Sequence, residues 1–279
     1  MSHSRIVTGY DGSTDAEAAL SWSAETARAE GRALEVVIVA ARTDGVHRHR
    51  EDPTEPVEAW RASALSRLVA MDVVESSVKV RQGPIVPSLL DESVGAGMLV
   101  VGSTGHGLAS GTLTGSVSQH VARHASCPVI VARPPRSPHA RRIVVGIDGS
   151  AESAEALRFA CERARTSGEP VIAIHGYGPL SNRSVALDET TTGKATRAIA
   201  TAEQLVHDVC AKIAAEYADV AIEPVAIATR PAQVLVNASA GASLVVVGSR
   251  GRDAFTELLL GSVSQHVLHH AECPVAIIR

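Results

Sequence analysis

Several kinds of protein are excluded by what this 279-residue sequence lacks. It has no apolar run approaching the roughly eighteen residues that a membrane-spanning helix needs. Met1-Ser2-His3-Ser4-Arg5 leads directly into strand-like text, so no leader is expected and the cytoplasm is the expected location. Its four cysteines, Cys127, Cys161, Cys210 and Cys273, contain no C-x-x-C pair, which points to packing rather than to zinc or dithiol chemistry. A formal net charge of -4 gives no global attraction to nucleic acid or to an anionic membrane, and neither is expected as a partner. With 45% hydrophobic residues, however, the chain can bury a core of ordinary size.

The sequence does contain a long internal repeat. Gly102-Ser103-Thr104-Gly105 is followed by Gly115-Ser116-Val117-Ser118-Gln119-His120-Val121, and Gly248-Ser249-Arg250-Gly251 by Gly261-Ser262-Val263-Ser264-Gln265-His266-Val267. Arg5 to Ser13, ending Gly9-Tyr10-Asp11-Gly12-Ser13, likewise returns as Arg142 to Ser150, ending Gly146-Ile147-Asp148-Gly149-Ser150. A period this long means duplicated domains rather than a solenoid. The spacing between aspartate and glycine loop is longer in the second copy, so residues were gained between them. Arg133 to Arg142, rich in proline and arginine and without apolar periodicity, reads as the seam. The expected division is 1–133, a linker at 134–141, and 142–279.

Each half alternates strand and helix. In the first, strands are expected at 4–10, 34–40, 74–81, 98–102 and 128–132, with helices at 14–31, 55–71, 84–94 and 115–125, and the second half repeats the series. Continuously apolar strands separated by helices predict a parallel sheet covered on both faces, a doubly wound α/β domain. In such a sheet ligands sit at the carboxyl ends of the strands, where the winding reverses. If the first and fourth strands are neighbours, Asp11 and the Gly102 loop wall one crevice, and Asp148 and the Gly248 loop another. Glycines leaving a buried strand let the backbone approach a ligand closely, and a Gly-Ser step opening a helix turns N–H groups and the positive dipole end toward an anion, as phosphate binding requires. Two readings of the aspartate stay open. It can accept a hydrogen bond from a sugar hydroxyl or a base amino group, or Asp-Gly-Ser can simply form a turn and cap the following helix.

The strand ending in Asp-Gly-Ser, the loop Gly-x2-Gly-x9-Gly-Ser and the closing His-Ala-x-Cys-Pro-Val resemble the universal stress protein family, in particular its tandem members with an ATP-binding loop. The resemblance covers nearly the whole chain. It implies two tandem flavodoxin-like (Rossmann-like) domains, each a five-stranded parallel sheet of order 3-2-1-4-5, and pairing of the two domains through their final strands. It also allows whole chains to associate as homodimers. ATP, with or without Mg2+, is the implied ligand.

Carried over by the resemblance, the first site would use Gly9, Tyr10 and Asp11, Ala41 after the second strand, and Gly102, Ser103, Gly105, Gly107, Gly115, Ser116, Val117 and Ser118 around the phosphates. The second would use Gly146, Ile147, Asp148, Gly176, Gly248, Ser249, Arg250, Gly251, Gly261, Ser262, Val263 and Ser264. Ala41 and Gly176 are smaller than the aliphatic residue common against the base in this family. Arg250 and Arg252 stand where the first loop has Thr104 and His106, so the second loop should attract phosphate more strongly.

Catalytic parts are scarce. No Walker lysine follows either loop, and no paired carboxylates at metal spacing stand beside it. His120 with His124, and His266 with His270, lie four apart on helices and read as packing and helix-dipole groups rather than metal ligands. Three classes of function therefore compete: a nucleotide-binding regulatory module acting in stress response or growth regulation, a slow ATPase or adenylate-transferring enzyme, and a scaffold with vestigial sites.

Overall fold

The computed structural model describes residues 5–40, 55–105, 114–134, 136–137, 139–178, 189–252 and 259–279. The chain divides into two compact units, Met1–Pro134 and Pro135–Arg279.

The first unit runs β1 (Ile6–Gly9), α1 (Thr14–Glu30), β2 (Leu34–Ala40), α2 (Glu55–Ala70), β3 (Ser76–Gln82), α3 (Ile85–Ser93), β4 (Met98–Gly102), α4 (Ser116–His124) and β5 (Val129–Ala132). Its strands are all parallel and ordered β3-β2-β1-β4-β5. Ile6 pairs with Leu34 on one side and with Met98 on the other, which sets the carboxyl ends of β1 and β4 side by side. Both faces of these strands are covered. Ile6, Val7, Thr8, Leu99 and Val100 are fully buried, as doubly covered parallel strands require.

The second unit repeats the plan as β6 (Ile143–Gly146), α5 (Ala151–Ser167), β7 (Val171–Gly176), α6 (Glu189–Ala214), β8 (Ile222–Ile227), α7 (Pro231–Ser239), β9 (Leu244–Gly248), α8 (Ser262–His270) and β10 (Val275–Ile278). Its order is β8-β7-β6-β9-β10, again all parallel. The extra residues of this copy fall between β7 and β8, where α6 has 26 residues against 16 for α2.

Local chemistry explains the long first helices. Ser13 caps α1 by accepting from the Ala16 N–H at 3.2 Å, and Ser150 caps α5 by accepting from the Ser153 N–H at 3.1 Å. Gly31 and Gly168 end them in the left-handed conformation, at φ 62° and 71°. One boundary differs from the sequence expectation. β3 starts at Ser76 rather than at 74, because the chain turns at Asp72, φ 54°, and leaves Val74 91% exposed instead of pairing it.

The cysteines are buried. Burial, with Cys210 nearby, pushes the Cys161 thiol up to about 12, and burial pushes Cys210 up to about 11, so neither is a thiolate at neutral pH. No helix among the described residues is long and apolar enough to cross a membrane.

Candidate functional site

In the second unit, β6 delivers Ile147 and Asp148 to the end of the sheet, with the Ile147 N–H still bonded to Ile174 O at 2.8 Å. The Asp148 carboxylate then turns back on its own chain. Oδ1 accepts from the Ser150 N–H at 2.9 Å and the Ser150 hydroxyl at 2.5 Å, while Oδ2 accepts from the Arg252 N–H at 3.0 Å. Burial works to raise its pKa, but these hydrogen bonds outweigh burial and hold the group below its ordinary value of 3.8. Asp148 is thus both a turn residue and a staple onto the glycine loop. Gly251 is what lets the staple close, since a Cβ there would lie 2.5 Å from Oδ2. Of the two roles open for this aspartate, the turn is observed, and it leaves Oδ2 with the single Arg252 N–H.

The other glycines divide by use. A Cβ at Gly248 would meet Glu152 Cβ at 2.9 Å and Glu152 C at 3.0 Å, so this glycine admits the first turn of α5 against β9. Gly261 is different. A Cβ there would have nothing nearer than 3.5 Å, and its backbone, φ -69° and ψ 157°, is open to any residue. It is also the N-cap of α8, and no side chain caps that helix. The first intrahelical bond runs from the Gln265 N–H to Gly261 O, leaving the N–H groups of the first turn directed past the helix end. The loop closes beneath them, with the Ser249 N–H on Ile278 O at 2.6 Å, the Gly261 N–H on Ser249 O at 2.7 Å, and the Ser264 hydroxyl on Gly248 O at 2.6 Å.

A cavity of about 670 Å³ opens at this helix end. Gly146, Ile147, Asp148, Gly176, Gly248, Arg250, Gly251, Gly261, Ser262, Val263 and Ser264 all line it, whereas Ser249 is buried behind the loop. Its opposite wall was not anticipated: His175, Tyr177, Pro231 and Leu235. His175 Nδ1 donates to Ile147 O at 2.7 Å, and its ring lies against Tyr177 with centroids 6.5 Å apart. Gly176 is small because Pro231 Cα would stand 2.7 Å from a Cβ there. A larger residue could not fit there.

The first unit keeps the scaffold and changes the polar contacts. Oδ1 of Asp11 accepts from the Ser13 N–H at 3.0 Å, and a Cβ at Gly105 would lie 2.7 Å from Asp11 Oδ2. Gly102 is again a packing glycine, with Asp15 C at 2.8 Å from its would-be Cβ. Gly115 caps α4 without a side chain, the Gly115 N–H meets Ser103 O at 2.6 Å, and the Ser118 hydroxyl bonds Ser103 O at 3.0 Å. Ser116 and Val117 take the first positions of α4. Gly9 faces Leu89, 3.1 Å from a would-be Cβ. Tyr10 offers the crevice only its backbone, because its hydroxyl bonds Glu17 of α1 and Ser63 of α2. Ala41, His106 and Gly107 lie outside the described residues.

One carboxylate per unit escaped the sequence reading. Asp15 Oδ2 accepts from the Ser103 hydroxyl at 2.5 Å, the Thr104 N–H at 2.9 Å and the Thr104 hydroxyl at 2.7 Å. Glu152, its counterpart, instead pairs with the Arg250 guanidinium at 3.4 Å. The available signal was an acid in the first turn of both helices, which dipole complementation explains equally well. The histidine pairs lie exposed on their helices. Nδ1 of His120 faces Ser116 O at 2.7 Å and Nδ1 of His124 faces His120 O at 2.9 Å, while the His266 and His270 rings lie 4.3 Å apart. Among the described residues no group of three metal-ligating side chains converges.

The universal stress protein family profile matches residues 3–133 and again 139–279. The universal stress protein Rv2623 of Mycobacterium tuberculosis is 35% identical over 98% of this chain and 96% of its own length. Universal stress protein Rv2005c of the same organism is 34% identical over the same shares. Among solved structures, a universal stress protein from Archaeoglobus fulgidus aligns with 99% of this chain and 96% of its own, at a TM-score of 0.71 and 18% identity, a likeness of fold. Two matches in tandem, relatives alike over nearly their full length, and a doubly wound sheet in each unit agree: this chain belongs to the universal stress protein family.

Proposed function

We propose that this chain is an adenine-nucleotide-binding regulatory protein, with ATP as the ligand and the second unit's cavity as its best-formed site. The observation carrying this is the end of α8: an uncapped N-terminus, headed by a glycine where a Cβ would meet only ordinary contacts, opening onto a cavity of about 670 Å³. First-turn N–H groups and the helix dipole favour an anion there, and the volume lies in the range of small-molecule sites. The phosphates would rest on Gly261 to Ser264, with Arg250 and Arg252 supplying positive charge. The base would lie toward His175, Tyr177 and Pro231. The first unit's loop, built on the same glycine spacing, would supply a second site.

A binding role is favoured over rapid turnover. Among the described residues lining the cavity there is no lysine, and Asp148 is the one carboxylate. With its oxygens already engaged, Asp148 is poorly placed to bind a metal or take a proton from water. Nucleotide occupancy would instead alter what the surface around the site presents. Calorimetric titration of the intact chain with ATP and Mg2+ tests the reading: one to two equivalents should bind per chain, and a stoichiometry near zero would overturn it.

A further inference from the structure

We infer that Glu152 tempers the second site's preference for the more highly charged nucleotides, by holding Arg250 until a phosphate chain takes it over. This rests on the nucleotide reading above. Arg250 lines the cavity and has one long contact to Glu152, 3.4 Å between Nη2 and Oε1, beyond the 2.7–2.9 Å of a good charge-assisted bond. The two partners are unequally mobile. Glu152 is anchored, since its Cβ and backbone pack where Gly248 lacks a side chain, whereas Arg250 is 45% exposed on a long stem. A guanidinium offered a phosphate can trade a single loose contact for a planar two-pronged one.

The exchange is a matter of charge. While Arg250 is paired, its field at the helix end is cancelled by Glu152; once Arg250 turns to phosphate, the anchored carboxylate stays behind as a repelling charge. Both effects weigh more on a triphosphate than on a monophosphate, whose single phosphate has less charge to recruit the guanidinium. Among the described residues the first unit has no such exchange. Asp15 holds the loop by a backbone N–H and two hydroxyls, none of which carries a charge to hand over.

The test is a double-mutant cycle on the intact chain, titrated calorimetrically with ATP and with AMP. Glu152→Gln keeps the packed Cβ and side-chain size, and thermal unfolding of each variant verifies the fold. Glu152→Gln should tighten ATP about three- to fivefold, the range of a half-exposed ion pair, and AMP by less than about twofold. In an Arg250→Ala background the same substitution should change ATP affinity by less than about twofold. An unchanged ATP-to-AMP ratio, or a gain that persists in full without Arg250, overturns the inference while leaving nucleotide binding intact. No ATP binding by either the wild type or Glu152→Gln overturns both.

Discussion

The two units share a backbone plan and differ in how a first-turn carboxylate grips the glycine loop. Asp15 reaches Ser103 and Thr104 directly and ties the loop with three hydrogen bonds, all accepted by one oxygen. Glu152, one methylene longer, faces Arg250 and makes one ion pair. The same divergence runs through the core. Thr8 and Ser23 form a fully buried hydroxyl pair at 2.6 Å, and the equivalent places in the second unit are Val145 and Ala160, also fully buried. Tyr10, with its hydroxyl on Glu17, stands where the second unit has Ile147. Duplication thus conserved the glycine contacts that set the backbone and left side-chain pairs free to change together.

The largest effect should come from what the units have in common. Gly102→Ala and Gly248→Ala each force a methyl against the backbone of the first helix, and each should cost about 1–3 kcal/mol in chemical denaturation. If either were neutral, the glycines would not be packing residues. The buried hydroxyls give a smaller and more specific effect. Ser23→Ala leaves the Thr8 hydroxyl buried without its acceptor and should cost about 1–2 kcal/mol, whereas Thr8→Val with Ser23→Ala recreates the second unit's pair and should recover most of it. Additive losses would contradict the pairing.

The smallest effect is confined to alkaline pH. Burial, and then the hydrogen bond to Glu17, raise the Tyr10 phenol from 10.0 to about 12. Because the raised value favours the neutral form, the stability it contributes is complete below pH 10 and lost as pH rises toward 12. Tyr10→Phe should remove that loss from an unfolding series over this window, and a loss unaltered by the substitution would deny Tyr10 the role.

Much of this was legible in the sequence, and the exceptions share a cause. Strand–helix alternation and the duplicated text were enough for two doubly wound sheets, because apolar runs and caps are local signals. The start of β3 was not, since Val73 and Val74 look like strand and only the left-handed turn at Asp72 excludes them. A glycine pattern likewise cannot say what presses on each glycine. Gly248 faces α5, Gly251 a carboxylate and Gly261 the loop backbone at ordinary contact distance, though all three read alike in the sequence. Tyr10 enters the first site through the family resemblance, and nothing in the sequence says that its side chain turns to partners on α1 and α2. Pro231 and His175 come from segments distant in sequence that only the sheet order brings to the cavity.

Replacement of Gly261 tests the central claim most directly. Gly261→Val puts a branched side chain at a backbone conformation that suits it, with only ordinary contacts at Cβ, directly in front of the α8 N-terminus. Stability in denaturant should stay within about 1 kcal/mol of the wild type, while calorimetric binding of ATP at the second unit disappears. Wild-type ATP affinity and stoichiometry in a folded Gly261→Val chain would contradict the account.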